Sequence, residues 1–235
     1  MYILAKIPYA SVELRWASPL SGTAQFRVRQ LRGAIANAFI EDSRFHQHDA
    51  NGKPIYAYPH IQYRWNKGYG VVAGWITGAE TLLNVPWLDL PLKLGEDKVQ
   101  VSDAVMTTQY AKFGISDYLR FYKFVTPILM FKPELYKKYQ KMTKRVQLYE
   151  RNRLLVAQLL SAMRGLDINF DTALYATFTE LKICTCMHKK QKMMGITGSF
   201  ATNAVLPSGF AIGRAVSHGY GWIEPMEAEI NKGQP

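Results

Sequence analysis

Cysteine is scarce, two residues in 235, which excludes a disulfide-stapled scaffold and suits a reducing compartment. Acidic residues are also short, 18 against 29 Lys and Arg, for a formal net charge of +11 at pH 7. The stretch Gly195–Gly213 is free of charge, yet it holds four glycines, a proline and several hydroxyls, unlike a lipid-spanning helix. Met1–Lys6 lacks a basic region followed by an apolar stretch, so no signal peptide, no membrane partner and a cytoplasmic location are expected. Internal repeats, low-complexity tracts and carboxylate clusters suited to two-metal catalysis are missing too. What remains is 48% hydrophobic and 20% charged residues, the composition of a folded globular chain.

The cationic excess is uneven. Residues 1–100 carry 11 basic and 8 acidic groups, a net of +3, whereas residues 101–235 carry 18 and 10, a net of +8. Thirty aromatics (14 Tyr, 11 Phe, 5 Trp) add flat surfaces. Positive charge with aromatics is the composition of a nucleic-acid binder, single-stranded RNA included. The alternative is a basic soluble protein whose aromatics fill its core.

The first hundred residues alternate strand and helix patterns. Ile3, Ala5 and Ile7 suggest a first strand, and Phe26, Val28, Leu31, Ile35 and Phe39 recur at helical steps over Ala24–Phe39. Arg27, Arg29 and Arg32 fall away from that stripe. A polar loop, Glu41–Lys53, precedes strand-like Ile55–Trp65 and Val71–Ile76, a short helix from Gly78 to Leu83, and a further strand within Leu88–Val101. The order β, α, β, β, α, β is the ferredoxin-like arrangement. Farther on, Tyr118–Phe131 is apolar and aromatic, and a helical region runs from about Pro133 to Arg164 with Leu148, Leu155, Leu159 and Met163 inward. Lys137, Lys141 and Lys144, with Lys138 and Arg145 beside them, form a basic stripe there. Phe131–Gly165 holds nine basic and two acidic residues, a track for a polyanion or a solvated face. Leu181–Met187 and Met194–Phe200 suggest paired strands joined through His188, Lys189, Lys190 and Lys192, and the tail after Pro225 is expected to fray.

Three clusters could carry chemistry. His46-Gln47-His48 places two imidazoles on one side of an extended segment. Unperturbed imidazole titrates near pH 6.5, so the pair could supply a base and an acid, the two proton transfers of RNA cleavage by its own 2′-hydroxyl. A solvated loop with two ordinary histidines remains open. Cys184-Thr185-Cys186-Met187-His188 invites a metal, but no second Cys/His cluster completes four zinc ligands; cysteine as a small core residue fits better. Gly209–Gly221, with four glycines and Arg214, resembles a phosphate-binding loop but lacks the endings of nucleotide motifs.

Taken in order, Leu31-Arg32-Gly33, then His46-x-His48 with Tyr58-Pro59-His60-Ile61-Gln62-Tyr63-Arg64, then Asn203-x-x-Leu206-Pro207 leading into the glycine-rich loop resemble a known family. That family is the CRISPR repeat-processing endoribonucleases, in the branch with an H-x-H ahead of a YPxIQY strand. The resemblance implies an α+β chain of two tandem ferredoxin-like (RRM-like) domains. They are divided here as 1–103, with the H-x-H loop, and 104–235, with the basic helix and glycine-rich loop. It implies metal-independent cleavage of precursor CRISPR RNA to a 2′,3′-cyclic phosphate and a 5′-hydroxyl, with no metal and no cofactor. His46 and His48 match the catalytic histidines, and Arg214 matches a basic position credited with RNA contact or loop support. The expected RNA-binding set is Arg32, Arg64, Lys137, Lys141, Lys144, Lys189, Lys190 and Arg214. The expected partners are CRISPR repeat RNA and a CRISPR effector complex. His60 stands where the motif more often has an apolar residue, and a strand-surface role is favoured for it. The rivals are a non-catalytic RNA-binding subunit of such a complex, which needs no histidine pair, and a general RNA-binding protein.

Overall fold

The computed structural model describes residues 2–46, 57–169, 172–188 and 191–226. Contacts divide the chain into two units. One comprises Ile7–Ala111 with Val216–Gly219, and the other Met1–Lys6, Lys112–Ala215 and Tyr220–Pro235. The chain order is β1 (Tyr2–Arg15), α1 (Ala24–Ala38), a 3-10 turn (Ser43–Phe45), β2 (Ile61–Asn66), β3 (Tyr69–Trp75), α2 (Thr77–Leu83), β4 (Pro91–Leu94), β5 (Asp97–Gln100) and β6 (Asp103–Phe124). It continues through α3 (Pro133–Gln140), α4 (Lys144–Arg164), β7 (Ala176–His188), β8 (Gln191–Val205), a second 3-10 turn (Val216–His218) and β9 (Ile223–Pro225).

In the N-terminal unit the strand order is β2-β3-β1-β6, the second-third-first-fourth order of a ferredoxin-like domain. Val12 pairs with Val72, and Val72 with Tyr63, so three buried side chains form one layer across the sheet. Helix α1 lays Val28, Leu31, Ala34 and Ile35 against this core. Leu88–Val101 does not supply the fourth strand. Gly95, at φ +71°, breaks it into the β4–β5 hairpin, and β6 takes the fourth place. The contact division falls inside β6, between Ala111 and Lys112, and no linker composition marks it.

Arg27 and Phe26 trade the places their spacing suggests. Arg27 stands four residues before Leu31 and so on the buried stripe, whereas Phe26 is half exposed. The buried guanidinium is compensated by Asp97 at 2.6 Å, the Ser21 carbonyl at 2.6 Å and Gln30 at 2.9 Å.

The C-terminal unit repeats the order with β7-β8-β6 and β9 on the free side of β6. Its first crossover contains α3 and α4. Its second contains no α-helix among the described residues; the glycine-rich segment takes that place. The expected long helix is broken at Lys141–Thr143, because Thr143 turns extended and its hydroxyl accepts from the Val146 N–H, starting α4 afresh. Lys144 therefore does not continue the face of α3 that carries Lys137. Burial on α4 begins at Leu154, and Leu148 is exposed. The β7–β8 hairpin pairs as expected, with Leu181 opposite Gly198 and Met187 opposite Lys192.

Candidate active site

His46 closes the 3-10 turn that follows α1. Asp42 caps the turn: its carboxylate accepts from the Arg44 N–H at 3.1 Å and pairs with the Arg44 guanidinium at 2.8 and 2.6 Å. The hydrogen bond from the Arg44 side chain holds the Asp42 carboxyl below its usual range, against the opposing effect of burial. Phe45 anchors the turn from below. It is 2% exposed and stacks on Phe39 with ring centroids 5.0 Å apart. Tyr63 from β2 donates its hydroxyl to the Phe45 carbonyl at 3.5 Å. Burial pushes the Tyr63 phenol far above its ordinary value, with nearby Arg32 opposing, so it stays protonated and remains a donor.

The imidazole of His46 is fixed at one end. Its Nε2 lies 3.1 Å from the carbonyl oxygen of Phe39, the residue that ends α1. A carbonyl only accepts, so Nε2 carries a proton and Nδ1 holds the lone pair of the neutral ring. Arg32, midway along α1 and half buried, donates from Nη2 to the His46 carbonyl at 3.2 Å. Its Nε is shielded from solvent and has no partner among the described residues.

The other expected site residues are spread more widely. His48, Lys189 and Lys190 lie outside the described residues. Arg64 is 5% exposed. Ile61 to Arg64 are all buried, so β2 is covered on both faces and strand alternation does not turn Arg64 outward. His60 is half buried: its Nδ1 lies 3.2 Å from the Thr77 hydroxyl, and its carbonyl accepts from the Trp75 N–H. Lys137, Lys141 and Lys144 are exposed.

Arg214 is exposed in the C-terminal unit, its N–H on the Leu129 carbonyl at 2.9 Å. It shares an open concavity with Lys132 at the start of α3, Lys192 on β8, Glu134 and Gln191. Lys132 was signalled only by standing before Pro133, a helix-start position. Two residues later the glycine-rich segment enters the other unit. Val216 and Ser217 are buried, and Gly219, at φ +80°, packs between the Tyr63 carbonyl and the Val28 side chain, where a β-carbon would be 3.1 Å from both. The segment thus reaches the same α1 and β2 that hold Arg32 and Tyr63.

Cys184 and Cys186 are reduced, with sulfurs 3.9 Å apart and Cys186 in a small apolar cluster with Leu129, Met193 and Tyr220. Among the described residues, no group of three or more His, Cys, Asp or Glu could hold a metal ion, and no helix is long and apolar enough to cross a membrane.

Comparison with known proteins adds the family. The uncharacterized protein MJ0978 of Methanocaldococcus jannaschii is 26% identical over 148 residues, covering 63% of this chain and 98% of that one. A solved Cas6b structure superposes with a TM-score of 0.82 at 22% identity, over 94% of this chain and 100% of the other. A second, of a CRISPR RNA processing endoribonuclease Cas6b, gives 0.69 at 20% identity, over 93% and 100%. The family model for the Cas6b N-terminal domain matches residues 5–112, and that for the Cas6b C-terminal domain matches 114–226. Together they span both ferredoxin-like units, and the chain belongs to the Cas6b family.

Proposed function

We propose that this CRISPR RNA processing nuclease is a metal-independent endoribonuclease that cuts precursor CRISPR RNA within its repeats, leaving 2′,3′-cyclic phosphate and 5′-hydroxyl ends. The observation that carries the reading is His46: the first histidine of the H-x-H is held by its ring beside a half-buried arginine, in a chain whose residues 5–112 and 114–226 match the Cas6b domains. A solvated loop histidine would have no such anchor. His46 and His48 supply the two proton transfers, one from the attacking 2′-hydroxyl and one to the leaving 5′-oxygen. Arg32, Lys137, Lys141, Lys144, Lys189, Lys190 and Arg214 hold the phosphate backbone, while Arg64, buried, acts from behind the surface. The RNA partner is CRISPR repeat RNA, handed to an effector complex in the cytoplasm.

Labelled repeat RNA incubated with the protein in EDTA tests this. Cleavage at one position is expected, and 2′-deoxyribose on the 5′ side of that position abolishes it while binding persists. A strict magnesium requirement, or cleavage of the deoxy substrate, overturns the mechanism.

A further inference from the structure

We propose that the β7–β8 hairpin carries a binding site for a soft monovalent cation of the Cu(I) type, built from Cys184, Cys186 and Met193. The inference needs neither His46 nor RNA, and no step of cleavage is routed through the ion.

Strand alternation makes the site. Residues two apart on β7 point to the same side, so Cys184 and Cys186 stand together with their sulfurs 3.9 Å apart. The hairpin register sets Gly195 opposite Cys184 and Met193 opposite Cys186. Directly opposed residues share a face of the sheet, so the three sulfur-bearing side chains rise from one face. Cys186 and Met193 are buried in a single apolar cluster with Leu129 and Tyr220, and Cys184 packs against it. Gly195 keeps the intervening space open. A β-carbon there would overlap the Cys186 sulfur and come within 3.0 Å of the Cys184 sulfur, so a larger residue would fill the place that both sulfurs border.

The separation favours an ion over a disulfide. A disulfide needs its sulfurs about 2.05 Å apart and its β-carbons converging. Neighbours on one face of one strand have nearly parallel Cα–Cβ bonds, so the backbone holds these sulfurs apart. An ion can use the gap. With metal–sulfur bonds of about 2.3 Å, a gap of 3.9 Å subtends roughly 115° at the metal. That is close to a trigonal angle, and Met193 is the third donor.

The donor set selects the ion. Structural zinc takes four ligands, and among the described residues no third His, Cys, Asp or Glu joins the two cysteines. Thiolate and thioether sulfur suit Cu(I). Each thiol gives its proton to solvent as its sulfur–metal bond forms. Two thiolates with one monovalent cation then carry a single negative charge. Cys184 opens onto a cavity of 350 Å³ that Lys137 and Lys192 also line, which gives the ion a way in and opposes that charge.

Competition tests the site. The reduced protein is offered Cu(I) without oxygen in a large excess of glutathione, and metal per chain is read by native mass spectrometry. One Cu(I) per chain should be retained. Cys184→Ser and Cys186→Ser should each lose it, because a single thiol cannot outcompete the excess. Gly195→Ala keeps all three donors but fills the space between them, and should lose the ion too. Zn(II) offered in the same way should not be retained. X-ray absorption of the loaded wild type should count three sulfurs around copper, and Met193→Leu, which keeps the side-chain volume, should count two. Circular dichroism confirms that each variant is folded, and the sulfur count on the wild type stands whether or not they are. Loss of Cu(I) by the wild type, retention by either cysteine variant, equal retention of Zn(II), or two sulfurs in the wild type overturns the inference. Each of these outcomes leaves the endoribonuclease reading standing.

Discussion

The charged residues around α1 and those between Phe131 and Gly165 are organised on opposite lines. In the first region nearly every charge has an assigned place: Arg27 on Asp97, Arg44 on Asp42, Arg32 against the His46 carbonyl, and the His46 ring on Phe39. In the second, Lys137 and Lys138 on α3, Lys141 at the break, and Lys144 and Arg145 on α4 are exposed. Arg153 pairs with Glu150, and Arg151 reaches the Tyr139 hydroxyl. Fixed groups are needed where a proton moves over a fraction of an ångström, because misplacement is costly there. Free lysines suffice for a polyanion, whose attraction is long-ranged, tolerant of geometry and screened by salt. The two regions should therefore fail differently when mutated, one in rate and the other in affinity.

The largest separation is expected at His46. His46→Ala should lower single-turnover cleavage about 10²–10⁴-fold, with RNA affinity unchanged. Equal losses of rate and affinity would merge the two regions into one binding surface. Phe45→Ala strikes the same region through its packing. It should cost about 3–5 kcal/mol in denaturant unfolding, because the ring is buried on Phe39 and its loss leaves a cavity beneath His46. Unfolding indistinguishable from wild type would mean that the turn is not anchored by this ring.

The lysines should show the opposite pattern. Neutralising Lys137, Lys141 and Lys144 together should weaken RNA binding at low salt and flatten the slope of log K against log salt by roughly two to three units. The rate at saturating protein should hold. An unchanged slope would return these lysines to solvent-facing decoration, a role their exposure permits.

How much of this was legible in the sequence depends on the range of the interactions. Helix α1 and the β7–β8 hairpin were readable because apolar periodicity and strand alternation are local. The buried Arg27 was not, because Asp97 lies 70 residues away and only the β4–β5 hairpin brings it to α1. Phe45 is a lone aromatic in a polar loop, and nothing near it says that it points inward. Thr143 is compatible with a continuing helix, so the break before α4 shows only once its hydroxyl is seen to cap. The glycine-rich segment was recognisable as a loop rich in backbone donors. That Val216–Gly219 packs on α1 and β2 follows from contacts more than 150 positions away in the chain, which no motif encodes.

The smallest effect concerns the pair that shapes the turn. Hydrogen bonding from Arg44 depresses the folded-state Asp42 carboxyl, so the pair stabilises the fold above the unfolded carboxylate value, near pH 3.9. That contribution is lost as pH falls through the depressed folded value. Asp42→Asn removes the charge while keeping an oxygen that can accept from the Arg44 N–H, so the cap survives and the ion pair does not. Arg44 is largely exposed, which limits the difference at neutral pH to a few tenths of a kcal/mol. The unfolding free energies of wild type and Asp42→Asn should therefore differ slightly at pH 7 and converge as the solution is acidified below pH 3.9. A gap that widens on acidification would mean that Asp42 is protonated more readily in the fold than in the unfolded chain. The ordered charges around α1 would then be a strain on the structure rather than part of what holds His46 in place.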